Sequence, residues 1–422
     1  MKTFYIEQIG CERRGLDAER VVNYLIKNGL ERIASPREAD YSFLFTCSFS
    51  NNIELCMKRI SELNKFGNEL IVCGCLPSIK LSDIRKVFKG RIIKTNELFK
   101  IEEIFPDFGY RFNDIDDSNF IIKELLDNNK TINDTLKKIK KITLLNLAKP
   151  LDYILKRYAP VHTNQSLFSI RISDGCKRNC SYCTIKKGAG ELKSKPMPLI
   201  LEEVDRAITE KRFKINLVSA DMGAYGFDIG SSFPALLTAI LNKDKRIKID
   251  IIKDLHSLDV CNFKDEFIKL VKTKRIKRVR IGVQSGSEMI LKLMRRHIDF
   301  PVLIEAIKEI KKAYPEIRLS SQIIIGFPTE TEEDFKQTVK LIKDCGFDEC
   351  QAFKYFENES VDSFKIEPKV PVDIIDERMK IAEKIFNKYY YDTNIDRLIG
   401  KFGIYLRRNH PSIYHRIRSE DA

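Results

Sequence analysis

The sequence lacks any apolar run long enough to cross a membrane, which takes roughly eighteen residues or more. Its N-terminus, MKTFYIEQIGCERRG, lacks the apolar core of a signal peptide. No internal repeat and no low-complexity tract is present. These absences argue against a membrane protein and a secreted protein, and they predict a cytoplasmic protein with no membrane partner.

The 422 residues are 43% hydrophobic and 32% charged, which is typical of a globular protein, and the length predicts more than one domain. Basic residues outnumber acidic ones, for a formal net charge of +14. That excess fits an anionic partner such as a nucleic acid or an acidic peptide. It fits equally well a Lys-rich surface, because the charge is scattered rather than gathered in one block.

The cysteines are numerous and odd in number: there are 11 of them. Without a secretion signal they do not indicate a disulfide framework, and an odd count cannot pair completely. In such a chain, clustered cysteines more often bind metal or take part in redox chemistry.

Residues 1–105 alternate strand-like and helix-like segments, which predicts a Rossmann-like domain with a parallel sheet covered by helices. The predicted strands are Thr3–Ile9, Tyr41–Thr46, Glu69–Cys73 and Arg91–Ile93, and the predicted helices are Leu16–Asn28, Asn52–Phe66 and Leu81–Phe88. Residues 106–165 break this alternation with Asp and Asn and then with a lysine-rich stretch, so we expect a partly helical linker.

Residues 166–385 resume the alternation with six strand–helix units, which predicts a partial (βα)6 barrel with functional loops at the C-terminal strand ends. Residues 386–422 are expected to form a short C-terminal segment. The predicted strands are Ser169–Ser173, Ile215–Ser219, Ile247–Ile252, Arg278–Val283, Arg318–Ile325 and Glu349–Tyr355. The predicted helices are Leu199–Glu210, Pro234–Asn242, Lys264–Lys272, Glu288–Arg295, Val302–Ala313 and Glu332–Asp344.

A C-x3-C-x2-C motif, Cys176, Cys180 and Cys183, directly follows the first barrel strand. Three thiolates can hold three corners of a [4Fe–4S] cube and leave the fourth iron open. A closed zinc site would need a fourth ligand, and no other Cys or His is near in the sequence. The motif resembles that of the radical S-adenosylmethionine (SAM) superfamily, including the aromatic Tyr182 before the third cysteine. That resemblance implies that SAM binds the open iron and is cleaved reductively to a radical that abstracts hydrogen.

Cys11, Cys47 and Cys75 each follow a predicted strand of the first domain. The C-terminal ends of parallel strands share one edge of a sheet, so these thiols are expected to converge and to hold a second cluster. The alternative is that they are small buried hydrophobic residues. We interpret the other cysteines as packing residues: Cys56, Cys73, Cys261, Cys345 and Cys350.

Six segments together resemble the radical SAM methylthiotransferases: IGCERRGLDAERV, FTCSFSNNIE, VCGCLPS, AYG, VQSGSEMILKLMRR and IIGFPTETEEDF. The resemblance covers residues 1–100 and 168–385. Members modify an adenosine of tRNA or an aspartate of a ribosomal protein. The resemblance implies an auxiliary cluster at Cys11, Cys47 and Cys75 that takes up a methyl group from one SAM, and cleavage of a second SAM at the C-x3-C-x2-C motif. It also implies an electron donor such as flavodoxin or ferredoxin. It further implies that SAM is seated with help from Tyr182, Asp221, Gln284, Ser285, Gly286, Gly326 and Phe327, although Gly and Ser also serve plain loop geometry.

The chain departs from this family at points that bear on the substrate. An Asn usually follows Cys11 by a few residues, and here the run is Glu-Arg-Arg-Gly. Asp221 resembles the ribosomal-protein branch, whereas Gln284–Ser287 resembles the tRNA branches. The segment Leu398–Leu406 resembles only the first strand of the substrate-binding TRAM domain, so we expect a vestigial TRAM domain. This favours a peptide or protein substrate slightly over tRNA, and basic residues keep tRNA open: Lys186, Lys187, Lys193, Lys195, Arg407, Arg408, Arg416 and Arg418.

Two other functions remain compatible with the sequence. One is a radical SAM enzyme whose auxiliary cluster relays electrons or binds substrate, giving sulfur insertion, cross-linking or epimerisation. The other is an inactive homologue that binds RNA or a peptide. The intact C-x3-C-x2-C motif favours an enzyme.

Overall fold

The computed structural model describes residues 1–48, 50–115 and 167–386. Most of the predicted linker over residues 106–165 therefore lies outside the described residues, as does the C-terminal segment after residue 386. Within the described ranges, no helix is both long enough and apolar enough to cross a membrane.

The chain divides into two compact units. Unit 1 comprises Met1–Thr163 with Lys187–Ala189, and unit 2 comprises Asn164–Lys186 with Gly190–Ala422. Each unit carries its own parallel sheet, so the predicted α/β fold with two successive parallel-sheet regions is confirmed.

Unit 1 contains a five-stranded parallel sheet in the order β2-β1-β3-β4-β5. The central strand β3 reads YSFLFT and is buried along its whole length, as expected for a parallel strand covered on both faces. The strands are β1 (Thr3–Gln8), β2 (Glu31–Arg32), β3 (Tyr41–Thr46), β4 (Glu69–Gly74) and β5 (Arg91–Lys94), and the helices are α1 (Glu12–Lys27), α2 (Ser50–Leu63) and α3 (Leu81–Val87).

Alternate residues of β3 enter two different cores of unit 1. Phe43 and Phe45 pack with residues of α1, such as Val21, whereas Leu44 packs with Ile60 of α2 on the opposite face. Helices thus cover both faces of the sheet. Because β1 and β3 are neighbours although β2 lies between them in sequence, the order changes direction there, which makes a crevice at the strand ends.

The first core of unit 1 continues past the predicted boundary at residue 105. Phe108 stacks on Phe105 with ring centroids 4.5 Å apart, and Phe112 meets Tyr24 edge to face at 5.5 Å. Ile115 is buried in the same core. The aromatic residues of the DFGYRFND segment bury apolar area against α1, which the polar character of that segment concealed.

Unit 2 contains a six-stranded parallel sheet in the sequential order β13-β12-β11-β10-β9-β6, the arrangement predicted for a partial barrel. Its strands are β6 (Phe168–Arg171), β9 (Lys214–Val218), β10 (Lys248–His256), β11 (Ile276–Gln284), β12 (Arg318–Ile325) and β13 (Glu349–Lys354), with β7 (Ser173–Asp174) and β8 (Lys193–Ser194) forming a small antiparallel pair. Helix α4 (Ile185–Ala189) has residues in both units, and the other helices of unit 2 are α5 (Met197–Thr209), α6 (Phe233–Lys243), α7 (Ser257–Asn262), α8 (Lys264–Val271), α9 (Glu288–Leu293), α10 (Phe300–Ala313), α11 (Glu332–Cys345) and α12 (Val372–Phe386).

Two elements of unit 2 differ from the sequence prediction in ways that affect the site. The predicted strand Ser169–Ser173 is interrupted at Ile172, because the chain turns there to form β7. The predicted strand Ile247–Ile252 continues to His256 through an irregularity at Asp254, whose φ is +53°. The extension brings His256 to the carboxyl edge of the sheet.

Candidate active site

The loop with Cys176, Cys180 and Cys183 leaves β7 through a turn that requires glycine. Gly175 has a φ of +70°, and a Cβ there would lie 1.8 Å from the carbonyl oxygen of Glu191. The Cys176 N–H donates to the Gly190 carbonyl at 3.1 Å, which closes the start of the loop. The loop is therefore folded back on itself, and its cysteines are half-buried at the carboxyl edge of the sheet.

Each sulfur of this trio faces a hydrogen-bond donor. The Arg178 N–H lies 3.3 Å from the Cys176 Sγ, and the Ile185 N–H lies 3.4 Å from the Cys183 Sγ. The third sulfur, of Cys180, is 3.8 Å from Nη1 of Arg296. Donors directed at all three sulfurs suit thiolate ligands, so these residues fit the [4Fe–4S] cluster that the motif implies.

Asp221 lies directly beside Cys176. Its Oδ2 accepts from the Cys176 Sγ at 3.4 Å, and the residue is 3% exposed. Arg178 bridges Asp221 at 3.2 Å and Asp259 at 2.5 Å. Burial, and then the charge of Asp221, raise the pKa of the Cys176 thiol.

Arg296 ties the cysteine loop to the barrel. It donates to the carbonyl of Gly282 on β11 at 2.6 Å and to the phenol of Tyr182 at 3.2 Å. Burial raises the pKa of Tyr182, so this phenol stays neutral. The sequence analysis missed Arg296, Arg178 and Asp259, although Arg296 is the last residue of the VQSGSEMILKLMRR segment.

Ser285 and Gly286 follow Gln284, the last residue of β11, and both contact helix α11. The hydroxyls of Ser285 and Thr338 lie 3.2 Å apart, and the Gly286 N–H donates to the Thr338 hydroxyl at 2.8 Å. A Cβ on Gly286 would lie 2.5 Å from the carbonyl of Gln337. Gln284 has a φ of +74° and ends the strand. Their contacts are those of a packed turn, and a role in seating SAM stays a prediction.

Gly326 and Phe327 form the corresponding turn after β12. A Cβ on Gly326 would lie 2.4 Å from Ile375 of α12, and its N–H donates to Oε2 of Glu330 at 2.8 Å. Phe327 is fully buried and meets Tyr355 edge to face at 5.4 Å. The turn is thus held rigidly from behind, which a binding loop requires.

The three cysteines of unit 1 follow β1, β3 and β4, which are neighbours in the sheet. A Cβ on Gly10 would lie 3.1 Å from the Cβ of Cys47, so the chain entering Cys11 runs directly against Cys47. The Cys75 N–H donates to the carbonyl of Thr46 at 3.0 Å. The structure therefore brings Cys11, Cys47 and Cys75 to one edge, as predicted.

Cys11 is the N-cap residue that directly precedes helix α1. Desolvation raises the pKa of its thiol, but the positive charges of Arg13 and Arg14 lower it by more, and the resulting pKa lies below the ordinary value. Cys47 is buried and Cys75 is half-buried. A thiol that ionises readily, at the end of a crevice between strands, fits a metal-ligating role.

The remaining cysteines pack in the cores, and one of them, Cys56, also contacts the Cys47 loop. Cys73, Cys345 and Cys350 are buried, and Cys261 is half-buried. Cys56 is also buried, and its sulfur accepts from the Cys47 N–H at 3.4 Å. Burial raises the pKa of Cys56 to about 12, so it supports the Cys47 loop as a neutral thiol.

Among the described residues, no three His, Cys, Asp or Glu side chains lie close enough together to share a single metal ion. A [4Fe–4S] cube binds each thiolate to a different iron, so its ligands stand farther apart than those of one ion. Each trio offers one thiolate to each of three irons of such a cube.

Comparison with known proteins supports this interpretation. Residues 170–342 match the radical SAM superfamily, and residues 3–93 match a family described as "Uncharacterized protein family UPF0004". Ribosomal protein uS12 methylthiotransferase RimO of Thermosipho melanesiensis is 29% identical over 410 residues, which cover 94% of this chain and 86% of that protein. The probable threonylcarbamoyladenosine tRNA methylthiotransferase of Methanocaldococcus jannaschii is 28% identical over 407 residues, 94% of this chain and 85% of that protein.

Among solved structures, the radical S-adenosylmethionine methyltransferase TsrM of Kitasatospora setae superposes with a TM-score of 0.57 at 11% identity. The match covers 86% of this chain and 77% of that one, and at this identity it shows the fold alone. The two matched families, the full-length relatives and the fold agree with the six segments identified in the sequence. The chain belongs to the radical SAM methylthiotransferase family, enzymes that transfer a sulfur-containing group.

Proposed function

We propose that the chain binds two [4Fe–4S] clusters, uses two molecules of SAM, and replaces an unactivated C–H bond of a macromolecule with a C–S–CH3 group. Cys11, Cys47 and Cys75 would hold one cluster. The other would be held by Cys176, Cys180 and Cys183. Members of the family use SAM and [4Fe–4S] clusters, and when bound these supply the electron that cleaves SAM and the sulfur that is transferred.

The observation that carries this proposal is that three cysteines lie at the carboxyl edge of each sheet, and that those of unit 1 come from the ends of three different strands. In unit 1 the backbones of the Cys47 and Cys75 loops are joined by a hydrogen bond, and Gly10 allows the Cys11 loop to approach Cys47. In unit 2 each sulfur of the trio faces its own donor. A trio leaves one iron of a cube open in either unit, which an electron-relay cluster with four cysteine ligands would not do.

The side chains of unit 2 have distinct tasks in this mechanism. Arg178, held between two buried carboxylates, fixes the part of the loop that carries Cys176. Arg296 fixes the third cysteine against β11. The turns at Gln284–Gly286 and Gly326 are rigidly packed, and they would orient SAM and exclude water from the radical.

For the acceptor, we place a peptide or protein first. Asp221 is the residue that resembles the ribosomal-protein branch, and it lies 3.4 Å from a cysteine of the site. A second candidate is tRNA, which the formal net charge of +14 favours, because a polyanion is attracted to such a chain. Relatives with names of both kinds match the chain equally well.

The cluster proposal is tested by iron and sulfide analysis after anaerobic reconstitution. We expect about eight of each per chain in the wild type and about four in Cys47→Ala or Cys180→Ala. Cys261→Ala, which lies outside both trios, is the control and should keep about eight. About four in the wild type, lost in Cys180→Ala, would refute the second cluster.

Product analysis tests the chemistry. With methyl-deuterated SAM, we expect the label in the product, SAM cleavage to 5′-deoxyadenosine lost in Cys180→Ala, and cleavage without methylthiolation in Cys47→Ala. Sulfur insertion, cross-linking or epimerisation without transferred label would instead favour the electron-relay class. Parallel incubation with tRNA and with ribosomal protein or candidate peptides identifies the acceptor, and labelled tRNA with unlabelled protein would replace our first choice by the second.

A further inference from the structure

Arg14 is an unusual residue in unit 1 because it carries a positive charge and is only 2% exposed. Charged side chains are seldom this deeply buried unless they are paired. It lies in the first turn of α1, three residues after Cys11, and its backbone N–H donates to the Cys11 carbonyl at 2.9 Å. The residue is therefore part of the same structural element as one cysteine of the trio.

The arginine side chain also reaches the surroundings of the other two cysteines. Its Nη1 donates to the hydroxyl of Thr95, which in turn lies 3.7 Å from the Sγ of Cys75. A Cβ on Gly10 would meet both the Cγ of Arg14, at 3.5 Å, and the Sγ of Cys47, at 3.5 Å. The Arg14 side chain is thus linked to Cys75 through Thr95 and lies beside Gly10, the residue that also packs against Cys47.

Asp17 holds the other end of the guanidinium. Its Oδ2 is 2.9 Å from Nη2 of Arg14, and both side chains are almost fully buried. The planar fork of an arginine serves two acceptors at once, so the pair with Asp17 fixes the direction in which Nη1 points toward Thr95. A lysine, with a single charged nitrogen, could not hold both contacts in this way.

We propose that Arg14 is a positioning residue that sets the reduction potential of the cluster held by Cys11, Cys47 and Cys75. Reduction adds one electron and breaks no bond, so it makes the cluster more negative by one unit. A fixed buried cation nearby stabilises the reduced form more than the oxidised form, since charge and hydrogen bonding near the sulfurs are main determinants of cluster potentials. Asp17 offsets part of the Arg14 charge. It leaves in place the two hydrogen bonds by which Arg14 donates to the Thr95 hydroxyl and this hydroxyl donates to the Sγ of Cys75.

This inference rests on the proposed function, because it needs a cluster at the first trio. The two can be tested separately in the full chain with the second trio removed by Cys176→Ala, Cys180→Ala and Cys183→Ala. In this background we would measure iron content first and then the midpoint potential by redox titration followed with electron paramagnetic resonance. An iron content near zero would refute the cluster at the first trio, independently of Arg14.

Four substitutions in that background define the role of the charge. Arg14→Asn and Arg14→Gln remove it, and Arg14→Lys keeps it. The control is Arg20→Asn, which removes a positive charge from the same helix; Arg20 donates to the carbonyl of Phe112 at 3.1 Å, away from the cysteine loops.

We expect the two neutral variants to keep about four iron and to lower the ratio of reduced to oxidised cluster about tenfold at a fixed potential, equivalent to about 59 mV for one electron. Arg14→Lys should remain within about threefold of the wild type, and Arg20→Asn should not shift. Unchanged potentials in both neutral variants would overturn the proposal. If both fail to hold iron while Arg14→Lys holds it, the charge is required. If Arg14→Lys also fails, Arg14 acts through its shape and the proposal is wrong.

Discussion

The buried pair between Glu330 and Arg378 makes the stability of unit 2 depend on pH in an unusual direction. The Glu330 side chain is fully buried. Its Oε2 accepts a hydrogen bond from the Gly326 N–H at 2.8 Å and another from Nη1 of Arg378 at 2.9 Å. Burial raises the pKa of Glu330 to about 7, although the Gly326 N–H and the Arg378 charge both act to lower it. The folded protein therefore holds a proton on Glu330 at a pH where the unfolded chain has lost it.

The sign and size of the effect follow from that difference. The pKa rises from the ordinary value of 4.5 to about 7, and each unit corresponds to about 1.4 kcal/mol, so the full effect is about 3 kcal/mol. A raised carboxyl pKa stabilises the fold below the unfolded pKa, and this stabilisation is lost as the pH rises from about 4.5 through about 7. Glu330→Gln has the shape of the protonated acid and can keep an acceptor for both donors, so this part of the pH dependence should disappear.

The measurement is the free energy of unfolding from urea titrations of the full chain between pH 5 and pH 8. The wild type should lose stability relative to Glu330→Gln over this range, by an amount approaching about 3 kcal/mol. Glu333→Gln is the matched control, because Glu333 is an exposed glutamate three residues away, and it should follow the wild type. A constant difference between wild type and Glu330→Gln at all pH values would show that Glu330 is ionised throughout, and the reasoning would be refuted.

Three further substitutions test single contacts around the sites. Gly74→Ala should lower the free energy of unfolding by about 1–3 kcal/mol and release iron from the first trio. The reason is that the φ of Gly74 is +104° and that a Cβ would lie 2.4 Å from a backbone oxygen. Thermal unfolding and iron analysis check the two effects. Arg178→Met should destabilise unit 2 by about 3–5 kcal/mol in urea unfolding, because it leaves two buried carboxylates without their cation, and a loss below about 1 kcal/mol would contradict it. Thr338→Val should lower the free energy of unfolding by about 1–2 kcal/mol, because it removes the acceptor of the Gly286 N–H. If that turn seats SAM, calorimetry should also show weaker SAM binding.

Most strands of both sheets could be predicted from the sequence because they are short apolar runs bounded by turn residues, but the two-residue edge strand β2 (Glu31–Arg32) carries no apolar residue and was not predicted. Tyr41–Thr46 and Arg318–Ile325 were predicted with the bounds that the structure has. The extension of β10 to His256 was not predicted, since Lys253 and Asp254 interrupt the apolar run and the strand continues across them only through a local irregularity. The local sequence pattern identifies a strand, but it does not predict that the strand continues beyond a bulge.

The cysteines of both sites could also be predicted, because spacing and position after a strand are local properties. Their supporting residues could not. Arg178 meets Asp259 across 81 positions of sequence, and Arg296 meets Tyr182 across 114. Nothing in an isolated arginine indicates which carboxylate or phenol it contacts, since that depends on how strand ends come together in the folded sheet. Ser285 was predicted as a cofactor contact, and that role stays a prediction. Its contact with the Thr338 hydroxyl could not be predicted, because Thr338 belongs to a helix that is distant in sequence.

The two cysteine trios lie in different electrostatic surroundings, and this has a consequence for how electrons distribute between them. In unit 2 the charges of Arg178 and Arg296 are balanced by Asp221 and Asp259, and the nearest of these to a sulfur is a carboxylate. In unit 1 the positive charges of Arg13 and Arg14 act on the Cys11 thiol to lower its pKa, and Arg14 also forms a buried ion pair with Asp17. Positive charge close to a cluster favours its reduced form and a nearby carboxylate opposes it, so with both clusters assembled the unit 1 cluster should be reduced first. A stepwise redox titration of the reconstituted chain, compared with the Cys180→Ala and Cys47→Ala variants, assigns each step. If the step at higher potential disappears in Cys180→Ala rather than in Cys47→Ala, the balance of these charges does not govern the order of reduction.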